Sequence, residues 1–385
     1  MVSRRPLPAL TDELLEEIFL RLGSPADLAR ASIACVAFRR LIADLSFLRR
    51  YRSLHPPPLL GLVNAYGRGF QPAEAPPASA ALGRAIGRAA DFSFEDYLPR
   101  VTGSRWQVRD VRDGRVLMEC IPEEGDDDDE EIFFPDLAVC DPLSRRYLLL
   151  PPIPDDLLAS VQVQKQFVED FRPFLVPSGF EGTSFRVLVR MDSTERVVTF
   201  IFSSADGHWS AGASVSWGDL GIPLGHRRVI SGSQAYGCFY WKVVCEDKCL
   251  KLDTSSMEFS AVDLPPERDG YYVIIGEAGE GKIGMFSLID NHTSLCYSII
   301  RQNGGERFDQ LKMDNIIPLP VGYSYHIHGS YEGYIIMSGF GSTRDVPNTW
   351  FSLEIKTLRV ERICQMRFGC VDPYFGFPLS MSQRI

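Results

Sequence analysis

Three stretches read alike: AVCDPLSRRYLLLPP at 138–152, LKLDTSSMEFSAVDLPP at 250–266 and FSLEIKTLRVERI at 351–363. Each is a strand-forming run, a short polar turn and a second run, the pattern of two antiparallel strands joined tightly. A second piece recurs as SQAYGCFYW at 233–241 and SYEGYIIM at 330–337, where a strand with aromatic residues contains a glycine. Between these pieces no long helical period appears. The chain after Phe92 is therefore read as all-β.

Working outward, candidate strands include Trp106–Val111, Arg115–Cys120, Phe185–Met191, Val197–Ser203, Gly237–Val243, Lys282–Ile289, Tyr334–Gly339 and Trp350–Ile355. Asp113-Gly114 and Asp206-Gly207 mark tight hairpins. Openings near Ser104, Ser184, Ser233, Gly270 and Ser330 lie 37 to 80 residues apart, which suits irregular propeller blades of roughly 40 to 50 residues with insertions. The fold expected is α+β multidomain: a small helical N-terminus followed by a β-propeller. Five blades are traceable, and a sixth closes by pairing a strand around Leu59–Val63 with one around Phe375–Leu379, which removes free sheet edges. A pair of β-sandwiches is the rival. Prolines and alanines crowd residues 55–91, which read as a linker holding that one strand.

The N-terminus has a different period. From Asp12 to Leu22 the apolar residues Leu14, Leu15, Ile18, Phe19 and Leu22 recur at three- and four-residue steps, as on an amphipathic helix. Ser24, Pro25 and Asp27 form a helix-start signal: a hydroxyl cap, a proline at the first position and a carboxylate near the positive helix end. A third helix is expected over Cys35–Ala43 and a short fourth from Ser46 through Tyr51.

With these segments in hand, LTDELLEEIFLRL at 10–22, SPADLARASIACVAFRRLI at 24–42 and SFLRRYR at 46–52 resemble the F-box pattern. The resemblance covers residues 7–54. It implies docking onto the Skp adaptor, and through it onto cullin and RING subunits of an SCF-type ubiquitin ligase. Carried over by position, Leu7, Pro8, Leu14, Ile18, Leu22, Pro25, Leu28, Phe38, Leu41 and Ile42 form the adaptor-facing or bundle-core set. Phe38 stands where the family usually has Trp, and Val36 where a basic residue is frequent. Residues 92–385 resemble F-box-associated propeller domains of large plant families, with CDPLSRRYLLLPP the best local match. The alternative for the N-terminus is an ordinary helical cap whose apolar residues all pack inward.

Composition narrows the partners. Residues 1–55 carry nine Arg against six acids, while eight acids fall within Glu123–Glu131 of a chain whose net charge is -10. No clustered basic face of the kind that neutralises phosphates is present, so nucleic acid is not expected as a ligand. No run of about 18 apolar residues and no signal-peptide pattern occurs, which predicts no membrane partner and an unexported chain. The nine scattered cysteines read as reduced thiols of a cytosolic or nuclear protein.

Motifs for chemistry are weak. Gly276–Lys282 reads G-x-x-x-x-G-K, but Ile283 replaces the hydroxyl residue that would hold magnesium, and a strand follows where a helix is needed, so a hairpin turn is expected. Cys238, Cys245 and Cys249, or His326 and His328, lack the closely spaced pairs of a zinc site. No cofactor and no catalytic residue is assigned. The acidic run is read as a solvated loop, and Trp106, Trp209, Trp217, Trp241 and Trp350 as core. The expected function is a substrate-recognition subunit that is not itself an enzyme; the alternatives are a propeller enzyme with decorative helices or an adaptor-independent binding module. Groups converging at the central channel would favour chemistry.

Overall fold

In two of the three repeated turns the leading acid ties its own backbone, and in the third Glu354 accepts from the Thr357 hydroxyl. Asp141 Oδ1 accepts from the Leu143 and Ser144 amides at 3.0 and 3.2 Å, and Asp253 Oδ1 from the Ser255 and Ser256 amides at 2.8 and 3.2 Å. A side-chain carboxylate here does the work of a backbone carbonyl in a turn. Each turn ends on a left-handed residue, Arg145, Met257 and Leu358, with φ of 53°, 54° and 57°. The computed structural model describes residues 10–376 apart from 24, 66–68, 123–133, 178–183, 224–228, 245, 265–272, 280, 304–306, 311–314, 344–346 and 367–370.

Four helices open the chain: α1 (Asp12–Leu20), α2 (Pro25–Ala34), α3 (Val36–Ile42) and α4 (Leu45–Leu54). Strands β1 (Leu59–Asn64) and β2 (Phe70–Pro72) and helix α5 (Pro77–Ala89) follow. The segment read as linker thus holds three elements. Alanine-rich sequence with proline at the first turn is a good helix former, and Gly83 lets α5 sit on β1, because a Cβ there would collide with the Leu60 carbonyl oxygen.

Five blades then follow in chain order. The first comprises β3 (Ser104–Arg112), β4 (Arg115–Pro122), β5 (Leu137–Asp141) and β6 (Arg146–Leu149), and a short helix α6 (Asp155–Ser160) leads out of it. The second comprises β7 (Val168–Val176), β8 (Arg186–Ser193), β9 (Arg196–Ser203) and β10 (His208–Ser216). The third comprises β11 (Val229–Ala235), β12 (Cys238–Val243), β13 (Lys248–Asp253) and β14 (Glu258–Asp263). The fourth has β15 (Val273–Glu277), β16 (Ile283–Ile289) and β17 (Ser294–Asn303), with β18 (Arg307–Gln310) and β19 (Asn315–Ile317) sharing its outer edge. The fifth comprises β20 (Tyr323–Tyr331), β21 (Tyr334–Gly341), β22 (Thr349–Glu354) and β23 (Arg359–Gln365).

The sixth blade joins both ends of this body. Strand β24 (Val371–Phe375) pairs antiparallel with β1, which pairs with β2, in the register Leu59 to Phe375 and Leu62 to Pro373. The protein is a six-blade β-propeller carrying six α-helices among its described residues. The closing strand falls at 371–375, a few residues ahead of the expected 375–379, and residues 377–379 lie outside the described chain.

Six buried clusters lie one between each pair of neighbouring blades, a ring of separate cores in place of the single core between two sandwich sheets. Strand β1 feeds two of them, Leu60 and Val63 facing the first blade and Leu59 and Leu62 the fifth. A bulge between Leu59 and Gly61 explains why residues three apart share a face. Inner strands are also locked sideways. Asp110, at a bulge in β3, accepts from the Val111 amide and, at 2.8 Å, from the Leu175 amide of the next blade; Ser233 Oγ, at a bulge in β11, accepts from the Ile275 amide at 3.1 Å.

First and second strands of three blades are joined by matching two-residue turns. Asp113-Gly114, Tyr236-Gly237 and Glu332-Gly333 all have positive φ at both positions, as type I′ hairpins require. These turns ring the channel mouth on one face, and Arg52 of α4 reaches down to them: Nη1 donates to Asp113 at 2.7 Å and Nη2 to Glu332 at 2.8 Å. All three side chains are four-fifths buried or more. Removing the cation leaves two carboxylates facing each other. Arg52→Met is expected to lower stability in urea unfolding by about 2 kcal/mol, less than the ~3–5 kcal/mol for breaking a fully buried pair. An unchanged midpoint would show that the clamp contributes nothing.

Candidate functional site

The helical bundle closes a core of its own around Phe19, Leu20, Leu28, Leu41, Ile42, Phe47, Leu48 and Tyr51. The Tyr51 hydroxyl donates to the Leu22 carbonyl at 2.8 Å, and His55 Nε2 donates to the Leu20 carbonyl at 2.7 Å. Asp44 caps α4 by accepting from the Ser46 and Phe47 amides, and Cys35 Sγ accepts from the Phe38 amide at the start of α3. With the core filled and the starts of α3 and α4 capped, several other apolar side chains face out. Leu14 is 52% exposed, Ile18 46%, Ile33 72% and Val36 80%. Leu14 and Ile18 are one turn apart on α1, and Ile33 and Val36 flank the junction of α2 with α3. Exposed aliphatics concentrated on one small module mark a surface that gains by being covered.

The positions carried over from the family pattern divide accordingly. Leu28, Leu41 and Ile42 are core; Leu22, Pro25 and Phe38 are half-buried, with Phe38 edge-on to Phe19 at 5.0 Å. Leu14 and Ile18 are on the surface, while Leu7 and Pro8, like Ser24, fall outside the described residues. Sequence reasoning passed over Ile33 and named Val36 only as standing where the family pattern often has a basic residue.

Buried ionisable groups of the propeller pair with one another. Arg190 donates to both Asp192 oxygens at 2.9 Å, reaches Asp170 at 3.1 Å and lies 4.8 Å over the Trp241 ring. Arg109 pairs with Glu119. His328 packs on Trp350 and shares a 2.9 Å hydrogen bond with the Ser338 hydroxyl, and burial beside His326 pushes its pKa down to about 3. Among the described residues no three His, Cys, Asp or Glu side chains gather as metal ligands. Cys245 and the acidic run 123–131 lie outside them. Gly276–Lys282 forms a hairpin turn in which the Ala278 amide donates to the Lys282 carbonyl at 2.9 Å. Trp209, Trp217, Trp241 and Trp350 are buried, Trp217 donating to the Ser193 carbonyl at 2.9 Å. No helix among the described residues is long and apolar enough to cross a membrane.

No protein-family model matches the chain, and no curated protein matches it. Several solved structures show a distant likeness to it. YCF48 from Cyanidioschyzon merolae is 10% identical over 69% of this chain and 74% of that one, with a TM-score of 0.39. The SapL1 lectin in complex with α-methyl fucoside is 11% identical over 70% and 82%, with a TM-score of 0.37. The β-propeller domain of the Trilobed protease from Pyrococcus furiosus is 8% identical over 69% and 72%, with a TM-score of 0.36. Blade number rests on the strand pairing described above.

One channel group reports on ring closure. Asp372 of β24 is walled by protein while keeping some solvent contact, and burial, with the Asp110 carboxyl nearby, pushes its pKa up to about 7 against the pull of Arg109. The folded chain therefore holds a proton that the unfolded chain has lost between about pH 4 and 7, so this group's contribution falls as pH rises through that window. Asp372→Asn is expected to remove the fall and to raise stability at pH 8 on the order of 2 kcal/mol, a fraction of the full linkage value because solvent screens the site. Parallel unfolding curves of the two proteins from pH 4 to 8 would contradict it.

Proposed function

We propose that this chain is an F-box protein, the substrate-recognition subunit of an SCF-type ubiquitin ligase. The bundle docks the Skp adaptor, which brings cullin and RING subunits, and the propeller holds the target protein. The observation that carries the reading is the outward aliphatic set Leu14, Ile18, Ile33 and Val36 on a bundle whose core is already complete. The ordered F-box motifs of residues 10–52 support it. In this role the chain needs no catalytic residue and no cofactor: holding a target near a charged conjugating enzyme raises its effective concentration. Most of the described cysteines are buried, which fits reduced thiols of the cytosol or nucleus.

The docking claim calls for point variants of the full chain, because a chain starting at Phe92 would lose β1 and β2 and with them the closing blade. Leu14→Glu and Ile18→Glu should each leave stability within about 0.5 kcal/mol, as surface changes do. Each should weaken binding of purified Skp adaptor at least tenfold, since covering one leucine or isoleucine contributes about 1.5–3 kcal/mol. Leu28→Ala, at a fully buried position, should instead destabilise the bundle by about 2–5 kcal/mol. Calorimetric titration checks the first and urea unfolding the second. Adaptor binding indifferent to both glutamates would remove the docking assignment.

A further inference from the structure

Between the exit of α4 and the mouth ends of the third, fourth and fifth blades lies a cleft of about 770 Å³, within the range of about 300–1,000 Å³ usual for ligand sites. Two large apolar side chains of its lining reach solvent, one from the bundle and one from the ring. Leu54, the last residue of α4, is 59% exposed, and Tyr236, in the turn from β11 to β12, is 42% exposed. Tyr236 holds φ at 48°, where a bulky residue is uncommon and where the matching turns carry Asp113 and Glu332. Its amide donates to Glu277 at 2.8 Å and its hydroxyl to the Lys282 carbonyl at 3.0 Å, which fixes the ring against the fourth blade. The acids of the two matching turns hold Arg52. The third turn presents an aromatic ring to the cleft instead.

Charge in the cleft is uneven. Its described charged lining is Arg52, Arg112 and Lys356 against Glu277 and Glu332, an excess of positive charge on a chain whose net charge is -10. Arg52 is held by Asp113 and Glu332, Glu277 accepts from the Tyr236 amide, and Arg112 lies 3.8 Å from Glu332 with its Nε sealed from solvent, so none of these is spare for a ligand. Lys356 differs. It is exposed on the turn from β22 to β23, where the two related turns have Leu143 and Ser255, and it makes no hydrogen bond or ion pair among the described residues. Its neighbours Ile355 and Leu358 line the same cleft. A free cation set among apolar side chains selects an acid that carries apolar groups beside it. We propose that this cleft is a docking site for a peptide segment of the target in which an acidic side chain is flanked by large apolar ones. The carboxylate pairs with Lys356 Nζ, and the apolar side chains cover Tyr236, Leu54 and Leu358. This rests on the reading of the propeller as the part that holds the target and is independent of adaptor docking.

The test is selection of peptides from a random display library on the full chain, followed by fluorescence-polarisation titration of the enriched sequences. The variants are Lys356→Glu, Lys356→Arg, Tyr236→Asn and Phe340→Ala, the last at the end of β21 away from the Glu332-Gly333 turn. Enriched peptides should share an Asp or Glu beside large apolar residues. Lys356→Glu turns attraction into repulsion and should weaken them about tenfold at unchanged melting temperature, while Lys356→Arg should keep them bound. A peptide with Lys in place of its acid should bind Lys356→Glu better than the parent chain. Tyr236→Asn removes the ring but keeps a residue that tolerates the left-handed turn, and should weaken the peptides about tenfold or more. Phe340→Ala should leave them unaffected. The lysine variants alone decide the matter should Tyr236→Asn fail to fold. Enriched peptides without an acid, or indifferent to Lys356→Glu, would overturn the site, as would a selection that enriches nothing. Adaptor titration of the same preparation separates the two readings: adaptor bound without peptide selection removes this site alone, and acidic peptide bound without adaptor removes the docking assignment alone.

Discussion

Everything else in the molecule hangs on the pairing of β1 with β24. It joins a strand that follows directly on the helices to the last described strand of the body, and it completes a ring whose inner strands would otherwise end in open edges. Only residues 55–58 separate α4 from β1, so the bundle enters the ring at its seam. Arg52 then spans that seam, holding Asp113 of the first blade and Glu332 of the fifth. Bundle orientation, ring closure and the shape of the channel mouth are thus set by one small group of neighbours.

Much of the ring was legible in the sequence because blades repeat the same physical problem. Turns led by Asp141 and Asp253 announce outer hairpins, and glycine after Asp113, Tyr236 or Glu332 marks a left-handed position. The pieces 233–241 and 330–337, read as opening strands, turn out to span the hairpin from first strand to second, and the opening placed near Ser184 is the second strand of its blade. The true inner strand there, β7, reads VEDFRPFLV. Its charges and Pro173 hide it because an inner strand lines a polar channel and need not alternate. Helix α5 escaped for a different reason: small residues that look like a flexible connection become a helix once Gly83 can lie against β1.

The outward aliphatic set of the bundle was half legible. Sequence identifies which residues of α1 and α2 are apolar, yet Leu14 and Leu28 carry the same chemistry and only packing shows that one faces water and the other the core. Leu28, Ile42 and Phe47 hold the bundle together, and Leu14, Ile18, Ile33 and Val36 face solvent.

Because the Arg52 clamp fixes the bundle on the ring, a partner that covers the helices need not disturb the blades. Amide hydrogen exchange of the full chain with and without purified Skp adaptor tests this most directly. Slowed exchange confined to α1 and the α2–α3 junction, with blade strands unchanged, is the predicted result. Exchange slowed only in the blades, or nowhere, would contradict it.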